Sequence, residues 1–253
     1  MVMKNHSAIE LEAPEKQYIF VGAIYSIICF FTLPFLLLLL SDGLHNDSRV
    51  LSWFEIAFHL MNLFVVGMLY KEFLEESLLN LQLNKDRAIS VIAITVGLML
   101  GIGLIWHFLY LFTGILGLEL AAFGTVPLSE MDIFRLSGLV VLANPLFGTL
   151  CMVVVVPVVT CCLYYALGFG PFYNIRPWLG YLVVCAAVAF PRICCAVTFW
   201  DPYEELMLYL AQLPVHLVSC WAYKKTGTIW TPIIAHMIAN LIACIAFLLA
   251  YKL

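Results

Sequence analysis

Apolar positions in this chain run together in long blocks instead of alternating with polar ones, and the polar stretches between blocks are short. Blocks at 18–40, 51–70, 89–112, 136–169, 178–199, 203–223 and 230–251 each reach the roughly 20 residues that a helix needs to cross a bilayer. The first ends LLLLLSDG, without a small-x-small cleavage pattern, and is too long for a signal-peptide core, so it reads as a retained anchor. Between the second and third, KEFLEESLLNLQLNKDR (71–87) mixes charges with recurring leucines, the composition of an amphipathic helix at the membrane surface. Residues 113–135 carry Glu119, Glu130, Asp132 and Arg135 and form either a loop or one short further helix, so seven or eight spans are expected. Pro145 and Pro157 fall in the fourth block, which is one kinked helix or a short helix joined to a longer one. In the third, the Gly97-x-x-x-Gly101 step suits either close approach of a neighbouring helix or ordinary membrane glycine.

Composition agrees with the pattern. Of 253 residues, 64% are hydrophobic and only 11% charged, with a mean hydropathy of +1.02, which excludes a soluble globular domain with a solvated surface. The expected fold is an all-α, polytopic membrane helical bundle. A net charge of -4 and the lack of a long basic run exclude nucleic acid as a partner. The nine cysteines all fall in apolar segments and read as reduced, buried small hydrophobes. Neither adjacent pair, Cys161-Cys162 or Cys194-Cys195, has zinc-ribbon or C-x-x-C spacing. With a cytoplasmic N-terminus and seven spans, Lys4, Lys16, Lys71, Lys85, Arg87, Arg176, Lys224 and Lys225 lie inside, and Arg49, Arg135 and Lys252 outside. The positive-inside rule favours that orientation. The sequons at Asn5 and Asn46 are too short a pattern to indicate a secretory route.

An ionisable side chain in hydrocarbon costs at least about 2.5 kcal/mol on insertion scales, so such groups face the bundle interior and mark working sites. Glu55, His59 and Asn62 recur at i, i+4 and i+7 on the second span; near a helix end, they read as a solvated interfacial stripe. His59 and His107 are read as packing histidines. On the penultimate span Glu205, Tyr209, Gln212, His216, Ser219 and Tyr223 share one face along the whole helix. A stripe of that length lines a wet cavity or meets another polar helix. Arg192 precedes Trp200 by eight residues, about 12 Å of helix, and needs a partner. Glu204 or Glu205, across the WDP turn, is the expected one. His236 and Asn240, at i and i+4 on the last span, point into one cavity as neutral hydrogen-bonding groups able to steady an oxyanion.

The last pair belongs to AYKKTGTIWTPIIAHMIANLIA (222–243). This stretch closely resembles the final motif of the CPBP (CAAX protease and bacteriocin-processing, or Abi) intramembrane endopeptidases, in which a TGSLW-like turn precedes a helix bearing H-x-x-x-N. The resemblance implies a CPBP-like core at 136–253 behind N-terminal helices at 1–135, with His236 and Asn240 helping to stabilise a tetrahedral intermediate. The family's first motif is P-x-x-E-E-x-x-x-R, whose first glutamate activates the attacking water. Here PVVTCCLYY stands in its place, with Thr160 and Cys161 at the glutamates and Tyr165 at the arginine. The second motif, F-x-x-x-H, is matched by FPRIC, with Cys194 at the histidine position. The resemblance covers 139–250, with only its last motif intact.

A general base needs a pKa near the working pH and reach to the water. Threonine has no such pKa, and a cysteine in apolar surroundings stays a neutral thiol. The first reading is therefore a catalytically degenerate CPBP-like protein that binds or scaffolds a membrane peptide or membrane protein within the lipid bilayer. A second is an active endopeptidase with a rebuilt centre. There Glu205 or His216 is the base with His236 and Asn240 as stabilisers, or Cys161 or Cys194 is the nucleophile with His236 as its base. A third is a small transporter or channel element built on the stripe from Glu205 to Tyr223. No cofactor and no metal is expected in any of them, because clustered His and Glu ligands are lacking.

Overall fold

A computed structural model of the protein describes residues 11, 13–28, 48–115, 144–199 and 202–250. They form helices α1 (Lys16–Ile28), α2 (Ser48–Leu83), α3 (Lys85–Ile115), α4 (Pro145–Ile175), α5 (Pro177–Phe199), α6 (Pro202–Thr226) and α7 (Trp230–Ala250), with no strand among the described residues. Five helices, α2 to α6, are long and apolar enough to cross a membrane, and α1 and α7 are shorter apolar helices. The chain is an all-α membrane bundle. The rest of the first apolar block (29–40), residues 116–143 and both sequons lie outside the described residues.

The surface segment 71–87 is helical to Leu83: two helices meet across a kink at Tyr70 (φ -119, ψ 15) within α2, residues 71–83 form the second of them, a single residue, Asn84, intervenes, and Lys85 opens α3. Val66, Tyr70, Phe73 and Ser77 are buried at i, i+4, i+7 and i+11, so one stripe of α2 faces the bundle throughout while Leu79 and Leu83 are exposed. The reading of His59 and Asn62 as a solvated stripe is corrected: both are buried. The Tyr25 hydroxyl donates to Asn62 Oδ1, and Asn62 Nδ2 donates to the Phe58 carbonyl at 3.0 Å, so this face meets α1. The side chain of Glu55 lies outside the described residues.

Helix α4 is the axis of the bundle. Residues 155–170 are buried without interruption, the mark of a helix with neighbours all round. It packs against α2, α5 and α7, while α3 packs against α6 and α7. Pro157 neither breaks nor separates it, because the helix widens instead. Residues Cys151–Val155 and Cys162–Phe169 are π-helical, and the Val156 N–H donates to the Cys151 carbonyl, five residues back. The next rung of that register belongs to Pro157 and Met152, and proline has no N–H to supply it. The Met152 carbonyl is thus left for another donor.

Close helix approach occurs away from the Gly97-x-x-x-Gly101 step. A Cβ at Gly97 or Gly101 meets nothing within 4 Å, whereas one at Gly180 comes within 3.0 Å of the Phe169 carbonyl oxygen and of Tyr173 Cα. Gly180 is what allows α5 to lie against the end of α4.

Candidate functional site

The stripe on α6 faces inward, and its members meet different partners. His216 is 1% exposed. Its Nδ1 lies 2.8 Å from the Tyr165 hydroxyl of α4, and the Tyr164 ring stands edge-on to it at 4.9 Å. One turn further, the Ser219 hydroxyl donates to the Val215 carbonyl at 2.9 Å. Its single proton so used, Ser219 Oγ accepts at 2.6 Å from Nε2 of His236 on α7. That assigns the proton to Nε2, which also faces the Tyr165 hydroxyl at 3.5 Å. The result is a hydrogen-bonded chain from His236 to Ser219 and through the Tyr165 hydroxyl to His216, joining three helices.

The helix that carries His236 is fixed at its start by the T-G-T-I-W turn. Gly227 takes φ 77 and its N–H caps the Tyr223 carbonyl at 2.8 Å, ending α6 in a conformation that only glycine adopts freely. Thr228 then reaches α2. Its hydroxyl donates to the Ser77 carbonyl at 2.8 Å, the Ser77 hydroxyl lies 2.8 Å from Thr228 Oγ1, and the Ile229 N–H donates to Ser77 Oγ at 3.0 Å. Trp230 Nε1 donates to the Leu74 carbonyl at 2.9 Å. The turn is a latch onto α2, and it sets where the first turn of α7 begins.

The Nδ2 of Asn240 donates to the Met152 carbonyl at 2.8 Å, the one that the π register and Pro157 leave open. Of the expected pair, Asn240 is thus attached to α4, while His236 meets Ser219 of α6 and Tyr165 of α4. Thr160 and Cys161 lie in the α-helical stretch Val156–Cys161 between the two π segments, and both are buried, as is Cys194 on α5.

Glu205 is elsewhere. Its Oε2 lies 3.2 Å from Nη1 of Arg192, with side-chain exposures of 3% and 4%. The expected ion pair thus forms with Glu205, while the side chain of Glu204 lies outside the described residues. Glu205 and Ser219 are fourteen residues apart on one helix, about 21 Å along its axis. Glu205 is therefore out of reach as a base acting beside His236. Between the two clusters, Gln212 is 7% exposed and its Nε2 has no partner among the described residues. It sits one turn from His216 on the same helix, a buried donor. Among the described residues no three His, Cys, Asp or Glu side chains gather at metal-binding spacing.

The sequence reading missed Ser77, Met152 and the role of Gln212. A hydroxyl in the middle of KEFLEESLLNLQL was the available signal for the first. The second is a backbone carbonyl and leaves no trace in side-chain pattern.

A membrane bundle whose last helix follows a T-G-T-I-W turn and carries H-x-x-x-N defines the class, and a family match over part of the chain supports membership of the CPBP family. Within that class, residues 120–242 match the Rce1-like family, described as type II CAAX prenyl endopeptidase Rce1-like. No curated protein and no solved structure matches the chain.

Proposed function

We propose that this chain is a catalytically silent CPBP protein that uses the cluster of Tyr165, His216 and His236 to hold a membrane peptide or membrane protein, with its N-terminus on the cytoplasmic side. The observation that carries this reading is the distance, among the described residues, between the Glu205 carboxylate and the histidines. The buried carboxylate of α6, Glu205, is neutralised by Arg192 about 21 Å along the helix from Ser219. The positions assigned by resemblance to the two glutamates and the second histidine hold Thr160, Cys161 and Cys194. The histidines themselves are tied to the hydroxyls of Tyr165 and Ser219. Water activation needs a base free to take a proton, whereas holding a peptide needs donors, and Gln212 Nε2 is one.

The test uses purified protein in nanodiscs, offered a prenylated peptide with a CAAX C-terminus and, separately, a membrane-spanning peptide. Mass spectrometry is expected to find no new termini. Crosslinking is expected to capture a bound peptide, and Gln212→Leu to reduce that capture. Cleavage by the purified protein that disappears in His236→Ala overturns the reading and establishes the rebuilt-centre alternative, with Tyr165 and the two histidines as its machinery.

A further inference from the structure

At the end of α4 remote from Met152, a different kind of contact holds the start of the described chain. Asn174 Oδ1 accepts from the Leu11 N–H at 3.0 Å, and Asn174 Nδ2 donates to the Leu11 carbonyl at 2.8 Å. Both groups of one residue face the same side only when the backbone is extended, so Asn174 pairs with Leu11 as a facing residue does in an antiparallel ladder. The Leu11 side chain is 2% exposed and belongs to the same buried cluster as Tyr70, Phe73 and Phe169. Pro14, also buried, follows three residues later. There the chain and α2 enclose a cleft lined by Pro14, Tyr18, Lys71, Glu72, Phe73 and Glu76.

These features together are those of strand-type peptide recognition: main-chain bonds that ignore side-chain identity, a recess for one apolar residue, and charged positions beside it. Simple anchoring of a helix needs only the apolar contact. A bidentate amide spent on the backbone of a single residue adds selectivity for an extended chain.

We propose that Asn174 and the leucine recess form a seat for an extended peptide of the pattern Leu-x-x-Pro, filled here by the chain's own residues, and that a peptide of that pattern supplied in trans takes the seat when the internal segment is displaced. The seat is distinct from the His236 cluster. Asn174 follows Tyr165 by nine residues, about 13 Å of helix, and the proposal stands whichever way the cleavage test falls.

The experiment uses the full chain in nanodiscs and a fluorescent synthetic peptide, AIELEAPEKQ (residues 8–17). The tethered segment competes at an effective concentration near millimolar, so the unaltered protein binds the peptide weakly. Leu11→Asp is expected to tighten binding at least about tenfold, and Asn174→Ala in that background to remove the gain. The same peptide with N-methyl-leucine lacks the N–H that Asn174 reads and is expected to bind about tenfold more weakly. Should Leu11→Asp fail to fold, the decision passes to the unaltered protein. At millimolar peptide, a benzophenone placed beside the leucine is expected to crosslink to α2 or α4, and the N-methyl form is not. An absent gain in folded Leu11→Asp, or capture indifferent to N-methylation, makes the contact a structural tether only and overturns the proposal.

Discussion

Helix α6 buries a polar cluster near each end, and the two differ in kind. Near its start, Glu205 and Arg192 form a fully charged pair at 3.2 Å, both enclosed. Further along, His216 and Ser219 join Tyr165 and His236 through hydroxyls and imidazole nitrogens. One cluster places opposite charges where each cancels the other. Among the described residues, the second joins hydroxyls and imidazole rings. The comparison teaches that a buried polar stripe, uniform in sequence, can serve two purposes on one helix: a charge-balanced joint to α5 and a hydroxyl–imidazole junction with α4 and α7.

The two ends should respond differently when a partner is removed, and the largest effect belongs to the charged end. Glu205→Gln strands the Arg192 guanidinium, and loss of one member of a buried pair costs about 3–5 kcal/mol. The double variant Arg192→Met with Glu205→Leu removes both charges and is expected to recover most of that loss. Reversible unfolding in mixed micelles measures both. If the double variant is no more stable than the single one, the joint depends on something other than charge cancellation.

A second, smaller effect tests how α7 is held to α4 rather than to α6. Asn240→Leu leaves the Met152 carbonyl buried without the amide that caps it, an expected loss of about 1–3 kcal/mol. Pro157→Ala in the same background returns an N–H to α4 at the position whose rung is missing, and part of the loss should return. Unfolding free energies in the same micelles read this out. If Pro157→Ala adds to the damage, the widened register is not what exposes the carbonyl.

How far these features were legible in the sequence depends on which physical property carried each. Hydropathy located the spans, because lipid demands continuous apolar stretches, and helical periodicity put Gln212, His216 and Ser219 on one inward face. Depth in the membrane called for a partner to Arg192, and the short WDP turn left few choices. Periodicity gives a face and never the neighbour. It therefore joined His236 to Asn240 because they are one turn apart, although His236 meets Ser219 and Tyr165 while the Asn240 amide goes to the Met152 carbonyl. The π register around Pro157 was invisible for a related reason. Hydropathy is blind to whether a carbonyl is bonded four residues on, five, or by a side chain from another helix. Contacts such as Ser77 to Thr228 and Leu11 to Asn174 join residues more than a hundred positions apart, and nothing local announces them.

The smallest effect belongs to the neutral end. Tyr165→Phe keeps the ring in its buried place and removes only the hydroxyl that lies between His216 and His236. A net hydrogen bond between uncharged groups contributes about 0.5–1.5 kcal/mol, so the variant should lose several times less stability than Glu205→Gln. Nitrogen NMR of the histidine rings supplies a readout that simple loosening does not move. The His216 Nδ1 resonance should shift as its donor disappears, while the His236 Nε2 resonance, held mainly by Ser219 at 2.6 Å, changes less. A loss as large as that of Glu205→Gln would mean that charge resides among the histidines after all. The two ends of α6 would then be alike in kind, and the reading of a catalytically silent site would lose its principal support.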